Sequence, residues 1–312
     1  MLDLRRLWLL KEFAARGSIS GTAAVLGYTP SAVSQQLAAL EREAGAALLD
    51  RTARSAELTD AGRRLAGYAE HILAMVEEAE ADLSAQAQQP AGRVVVTAFP
   101  SAAVAFAPAL ARSLRAHPGL TLLLRQTQPG EGLRQVRSGE VDVAIVDDWT
   151  GRLSRRGQGI LSFYHLVRDP LVLVLPRAHR AANPDEPVDL HTLRHEPWMA
   201  APEGEPSRQA VDRMLAAVGG APPVPWEFEG LGTILSLVAR GIGIAVIPRL
   251  ALAAGERRVA VRKLPDTDLA RDVYAVARTA SVRRPSVSAV LTALRAAART
   301  LPARTAETPP AG

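Results

Sequence analysis

The 312-residue chain predicts an α/β protein with an N-terminal all-α winged helix-turn-helix and a two-lobed second part. Three observations carry this. Helical periodicity runs from the N-terminus, broken only near residues 52–58, to the polar stretch Gln86-Ala87-Gln88-Gln89-Pro90-Ala91-Gly92. Strand-like and helix-like segments alternate after that stretch. An apolar stripe at helical spacing stands just before it. At ~150 residues per domain, the length allows about two domains.

The first helix carries Leu4, Leu7, Trp8, Leu10 and Phe13 on one stripe and stops at Gly17. Ser20 is the expected N-cap of a short second helix ending at Leu26, with Gly27-Tyr28 as the turn. Thr29 caps the third helix, and Pro30 occupies its first position, where a missing N–H costs nothing. Val33, Leu37 and Leu40 share one face, and Gly45 ends the helix. Two helices joined by a tight glycine turn form a helix-turn-helix, over about residues 20–39. The third helix opens with small hydroxyls and amides, and Gln can pair with adenine through two hydrogen bonds. From periodicity alone, an ordinary helical hairpin with a solvated polar face is the favoured reading. Residues 48–59 then suggest a hairpin wing with Arg51 and Arg54. Thr59 and Asp60 start a long helix in which Ala61, Leu65, Tyr68, Ile72, Met75, Ala79 and Leu83 form a coiled-coil-like seam.

Beyond the hinge, residues 93–99, 120–126, 141–147, 171–176, 198–200, 243–247 and 271–278 read as strands. Helices are expected over 101–116, 131–138, 207–218, 233–240 and 285–299. Such alternation implies a parallel sheet covered on both faces. Residues 303–312 read as a loose tail.

Composition excludes several functions. There are no cysteines, so a disulfide scaffold, a thiolate zinc site and a cysteine nucleophile are ruled out. His191 and His195 have metal-like spacing but no third ligand, so no metal or cofactor is expected. No Gly-x-Ser-x-Gly elbow or phosphate loop is present, and no catalytic residue is assigned. The N-terminus carries Asp3, Arg5, Arg6, Lys11 and Glu12 and is not read as a signal peptide. No apolar run approaches the ~20 residues of a membrane helix, so a cytoplasmic protein without membrane contact is expected. Net charge is +5, but residues 1–64 hold nine bases against seven acids. Charge alone is therefore a poor argument for nucleic acid.

The order and spacing of particular residues say more. Gly17-Ser18-Ile19-Ser20-Gly21-Thr22-Ala23-Ala24-Val25-Leu26, Thr29 through Leu37, Leu40-Glu41, Gly45, Leu48, Arg51, Leu58-Thr59 and Ala61-Gly62 resemble the LysR-type transcriptional regulators. Gly139 through Val146, Pro197-Trp198 and Gly241 through Pro248 look like landmarks of that family's effector domain. Leu49 departs from the pattern, which usually has Phe there.

The resemblance implies a winged helix-turn-helix DNA-binding domain at 1–59 and a linker and dimerisation helix at 60–89. An effector-binding domain at 90–302 would be built like the periplasmic binding proteins, with lobe 1 at about 92–167 and 269–301 and lobe 2 at about 168–268. Ser20, Thr22, Thr29, Pro30, Ser31, Ser34, Gln35, Gln36, Arg51 and Arg54 form the expected DNA-facing set. Ser101, Gln126, Thr127, Gln128, Ser207, Arg208 and Thr233 stand at strand ends and helix starts, where ligands of parallel sheets bind, and form the expected effector set. Implied partners are double-stranded promoter DNA, a small carboxylate-bearing effector, further copies of the chain in a homodimer or homotetramer, and RNA polymerase. The competing reading is a two-lobed small-molecule-binding protein or dehydratase-like enzyme whose helical N-terminus serves only assembly.

Overall fold

The computed structural model describes residues 1–51, 56–85, 89–128, 130–153, 160–217, 219, 224, 226–254, 258–265 and 269–301. Helix α1 (Leu4–Arg16) starts on Asp3, whose carboxylate accepts from the Arg5 and Arg6 N–H groups. It ends at Gly17 in the left-handed region, with φ +69°. That turn leaves Ser18 extended, so Ser18 rather than Ser20 caps α2 (Ile19–Leu26), its hydroxyl accepting from the Gly21 N–H at 3.1 Å. Ser20 falls inside the first turn instead. Gly27, at φ +70°, turns the chain into α3 (Pro30–Ala44), which Thr29 caps by accepting from the Ala32 N–H.

Strands β1 (Leu49–Arg51) and β2 (Ala56–Leu58) pair antiparallel as the wing. Helix α4 (Asp60–Ala85) follows, with the Thr59 hydroxyl accepting from the Gly62 N–H at 3.0 Å. Leu7, Leu10 and Phe13 of α1, Val33, Leu37 and Leu40 of α3, and Ala66 and Ala69 of α4 close one core. Burying each large side chain contributes ~1.5–3 kcal/mol to holding α1 and α3 together. Leu49 joins this core at the base of the wing.

The second part is one sheet serving two lobes. In chain order its elements are β3 (Gly92–Ala98), α5 (Pro100–Ala116), β4 (Leu120–Gln126), α6 (Glu131–Ser138), β5 (Val143–Asp148), β6 (Leu161–Pro176), α7 (Leu190–Leu193), β7 (Trp198–Ala200), α8 (Pro206–Ala217), β8 (Trp226–Glu227), α9 (Leu231–Val238), β9 (Ile244–Pro248), β10 (Val259–Lys263), β11 (Ala270–Arg278) and α10 (Pro285–Thr300). Strand order is β4-β3-β5-β11-β6-β9-β7-β8, with β10 also on β6. Strand β3 runs parallel to β4 and β5, and β7 parallel to β8 and β9. The first half of β6 pairs with β11, and its second half with β9 and β10. A single 16-residue strand thus carries the chain from lobe 1 into lobe 2.

Helices α5 and α10 cover one face of the lobe 1 sheet through Phe106, Leu110, Leu291 and Leu294. Val136 of α6 packs on the other face. In lobe 2, Trp198 is buried with Met214 and Leu215 of α8, and its indole N–H donates to the Leu193 carbonyl at 3.0 Å. Ile234, Leu235 and Val238 of α9 close the opposite face.

Candidate functional site

The N-terminal turn of α3 presents Thr29, Pro30, Ser31 and Gln35 to solvent. Gln35 has no hydrogen-bond partner among the described residues, so both its amide donor and its acceptor face outward. Ser34, Gln36 and Arg51 are already engaged within the head. The Ser34 hydroxyl accepts from Arg51 Nη1 at 2.7 Å, and Arg51 Nη2 also lies 3.4 Å from Glu41. The Gln36 amide oxygen accepts from Arg6 Nε at 3.0 Å, which ties it to α1. Glu41 organises the wing: its Oε1 accepts from the Leu48 and Leu49 N–H groups at 2.9 and 3.0 Å. Arg51 is therefore laid back against α3 rather than extended from the wing.

Thr22 does not belong to the DNA-facing set. It is 0% exposed, and its hydroxyl donates to the Ser18 carbonyl at 2.8 Å, satisfying a group inside the head. Ser20 is exposed in the first turn of α2, where N–H groups favour phosphate. Arg54 lies outside the described residues.

The expected effector residues stand at the carboxyl ends of parallel strands. Ser101, in the first turn of α5, follows β3; Gln126 ends β4, and Thr127 and Gln128 follow it. Ser207 and Arg208 begin α8 after β7, and Thr233 lies in the first turn of α9 after β8. Two of these side chains are internal. Thr127 is buried, its hydroxyl 3.3 Å from the Gln135 amide oxygen. Arg208 spends its guanidinium on Asp212 at 2.8 Å, Glu227 at 2.5 Å and the Ala201 carbonyl at 3.2 Å. Burial opposes the charge of Arg208, but the two carboxylates outweigh it and raise its pKa.

Sequence reasoning missed Arg271, near the start of β11 where the chain crosses back into lobe 1. Arg271 is 3% exposed. Its Nη2 donates to the Ser101 hydroxyl at 2.9 Å, its Nε to Asp169 at 3.0 Å and its Nη1 to Asp147 at 3.0 Å. Its guanidinium lies 4.6 Å from the Phe99 ring centroid and 5.5 Å from that of Trp149. Asp169 also accepts from the Leu250 N–H at 2.8 Å, so one ion cluster joins β5, β6 and β11 to the first turn of α5 and the turn after β9, where the lobes meet. Burial pushes the Asp169 carboxyl up despite these partners. The signal available in sequence was an arginine near the start of a strand whose middle is apolar, opposite an aspartate at the other crossing. Its charge hid it among many arginines.

Asp148, at the end of β5, has the reverse balance. Burial raises its carboxyl, but hydrogen bonds from the Thr150 N–H and hydroxyl and the Leu153 and Arg152 N–H groups hold it below 3.8. Its stabilising contribution is present above pH 3.8 and is lost as pH falls through the lowered folded value. Asp148→Asn should therefore flatten the acid limb of the stability profile below pH 3.8, measured by thermal melts. An acid limb as steep as the wild type's contradicts the assignment.

A polar, exposed helix start beside a wing, joined by a long helix to paired α/β lobes, defines a DNA-binding head attached to a small-molecule receptor. Comparison with known proteins agrees. The profile described as "Bacterial regulatory helix-turn-helix protein, lysR family" matches residues 4–63, and "LysR substrate binding domain" matches residues 87–299. The chain belongs to the LysR family of bacterial transcriptional regulators. It is 29% identical to "Probable HTH-type transcriptional regulator LrrA" of Synechococcus elongatus over 94% of this chain and 97% of that one. Its fold is similar to a full-length OxyR variant from Pseudomonas aeruginosa, with TM-score 0.63 and 19% identity over 95% of this chain and 98% of that one. It is also similar to full-length CbnR complexed with its target DNA, with TM-score 0.53 and 20% identity over 95% of this chain and 100% of that one. The family's members are regulators rather than enzymes, which sets aside the enzyme alternative.

Proposed function

We propose that this regulator binds promoter DNA as a homodimer or homotetramer and responds to a small, carboxylate-bearing effector held between its lobes. The observation that carries the effector reading is the Ser101 hydroxyl. It accepts from Arg271, which leaves its own proton to donate to an acceptor on a ligand. Ser101 is not a helix cap, since α5 has no side-chain cap bond. Ser207 and Thr233 stand at strand ends of the other lobe and would complete the site. Assembly would use α4, where Tyr68 and Met75 are 66% and 68% exposed while Ala66 and Ala69 pack inward. Two such helices would pair along the exposed stripe and set the heads ~34–36 Å apart, or a multiple of that, on one face of DNA.

A ligand favouring one lobe arrangement would bias that spacing and so the access of RNA polymerase to the promoter. No helix among the described residues is long and apolar enough to cross a membrane, and a site of action in the cytoplasm, where the DNA is, follows from the function. The test is a thermal-shift screen of the full chain against a panel of small aliphatic and aromatic carboxylates. A ligand at ~100 times its Kd should stabilise the protein by ~2.7 kcal/mol. Ser101→Ala should lose that shift and keep its DNA affinity. A ligand that shifts Ser101→Ala as much as wild type places the effector elsewhere.

A further inference from the structure

A cavity of about 460 Å³ lies between the DNA-binding head and lobe 1, and none of the expected DNA-facing or effector residues lines it. Its size falls within the ~300–1,000 Å³ of small-molecule sites. One wall is apolar: Trp8 of α1, Leu73 and Val76 of α4, and Ile160 before β6. Among the described residues, the other walls carry four cations, Lys11, Arg137, Arg278 and Arg283, against the single carboxylate of Glu70. Lys11 donates its ammonium to the Ser138 carbonyl at the end of α6, which anchors the head to the lobe at the cavity's edge. Arg278 donates to the Val136 carbonyl at 2.8 Å, fixing its guanidinium in the wall. Arg137 is exposed and has no hydrogen-bond or ion-pair partner among the described residues.

We propose that this cavity is a second ligand site, taking an organic anion with an apolar body and a carboxylate, sulfonate or phosphate head. The apolar body would lie on Trp8, Leu73 and Val76. The anionic head would meet Arg137 and the neighbouring cations, whose clustering in a partly enclosed space favours negative charge. Such a ligand touches head and lobe together and therefore favours the arrangement in which they are docked. The docked arrangement already has its own ties, since Arg16 of α1 pairs with Glu140 of lobe 1 at 3.0 Å. The site would regulate the position of the head independently of the inter-lobe effector.

The test uses the full chain and two fluorescent probes sharing one apolar body: 8-anilinonaphthalene-1-sulfonate, which is anionic, and N-phenyl-1-naphthylamine, which is neutral. The anionic probe should bind saturably. Arg137→Glu should weaken it about tenfold, and the milder Arg137→Ser severalfold, while neither changes affinity for the neutral probe. Trp8→Phe should remove most of the tryptophan-to-probe energy transfer, and Trp149→Phe should not. Arg137 is exposed and unpaired among the described residues, so both of its variants should keep wild-type circular dichroism. The proposal is overturned if the anionic probe does not bind saturably, if Arg137→Glu binds it as wild type does, or if Ser101→Ala weakens it instead.

Discussion

Replacing Arg271 with leucine should cost about 3–5 kcal/mol of folding stability, the usual effect of removing one partner of a buried ion pair. Arg271 is the only cation among the described partners of Asp169, whose own exposure is 2%. After the substitution Asp169 keeps, among the described residues, only the Leu250 N–H, and Asp147 loses its guanidinium partner while keeping the Trp149 indole N–H at 2.9 Å. Hydrophobic packing does not offset this, although leucine would still fill part of the space between Phe99 and Trp149. The penalty is a stranded charge, so its removal should restore stability. Arg271→Leu combined with Asp169→Asn should recover a substantial part of the loss in denaturant unfolding. A single-variant loss under about 1 kcal/mol, the range of an exposed pair, would contradict the role of this cluster in joining the lobes.

Gly62→Ala should destabilise the head by about 1–3 kcal/mol and weaken DNA binding with it. Two effects oppose each other here. Alanine is favoured over glycine inside a helix by ~1 kcal/mol, and Gly62 is in the first turn of α4. Against this, a Cβ at position 62 would overlap the Leu48 carbonyl oxygen and approach Leu58 Cδ2 at 3.0 Å. The Leu48 oxygen cannot move away freely, because it accepts from the Thr59 N–H at 3.0 Å. Leu48 and Leu58 flank the wing, so relief of the clash must displace β1 and β2 from α3. Steric exclusion should therefore win. Thermal melts of the variant and its affinity for DNA check this, and a stabilised variant with wild-type affinity would contradict it.

The helix-turn-helix was legible because each boundary has a local chemical cause: Gly17, Gly27 and Gly45 stop the helices, and Thr29 and Pro30 start α3. What periodicity could not separate was Ser18 from Ser20 as the α2 cap, since both are hydroxyls within three residues of Gly17. Nor could it show that Thr22 faces inward, because a small threonine satisfies its hydroxyl on the backbone and is tolerated in a core. The first half of β6 was missed for a different reason. In lobe 1 it is an edge strand, so Ser162, His165 and Arg168 interrupt the apolar pattern a central strand would show. Arg271 was unreadable because its meaning lies in Asp147 and Asp169, residues more than a hundred positions away that only the crossing of β6 and β11 brings to it.

In the proposed function, the exposed start of α3 reads base edges in promoter DNA. Fluorescence anisotropy at fixed salt, using DNA flanking the protein's own gene and a scrambled duplex of the same length, tests it directly. Wild type should prefer the promoter duplex by at least ~10³-fold. Gln35→Ala should lose ~1–3 kcal/mol on the promoter duplex, with the loss confined to one base position, and should bind the scrambled duplex as wild type does. Equal affinity of wild type for both duplexes, or unchanged discrimination in Gln35→Ala, would contradict the account.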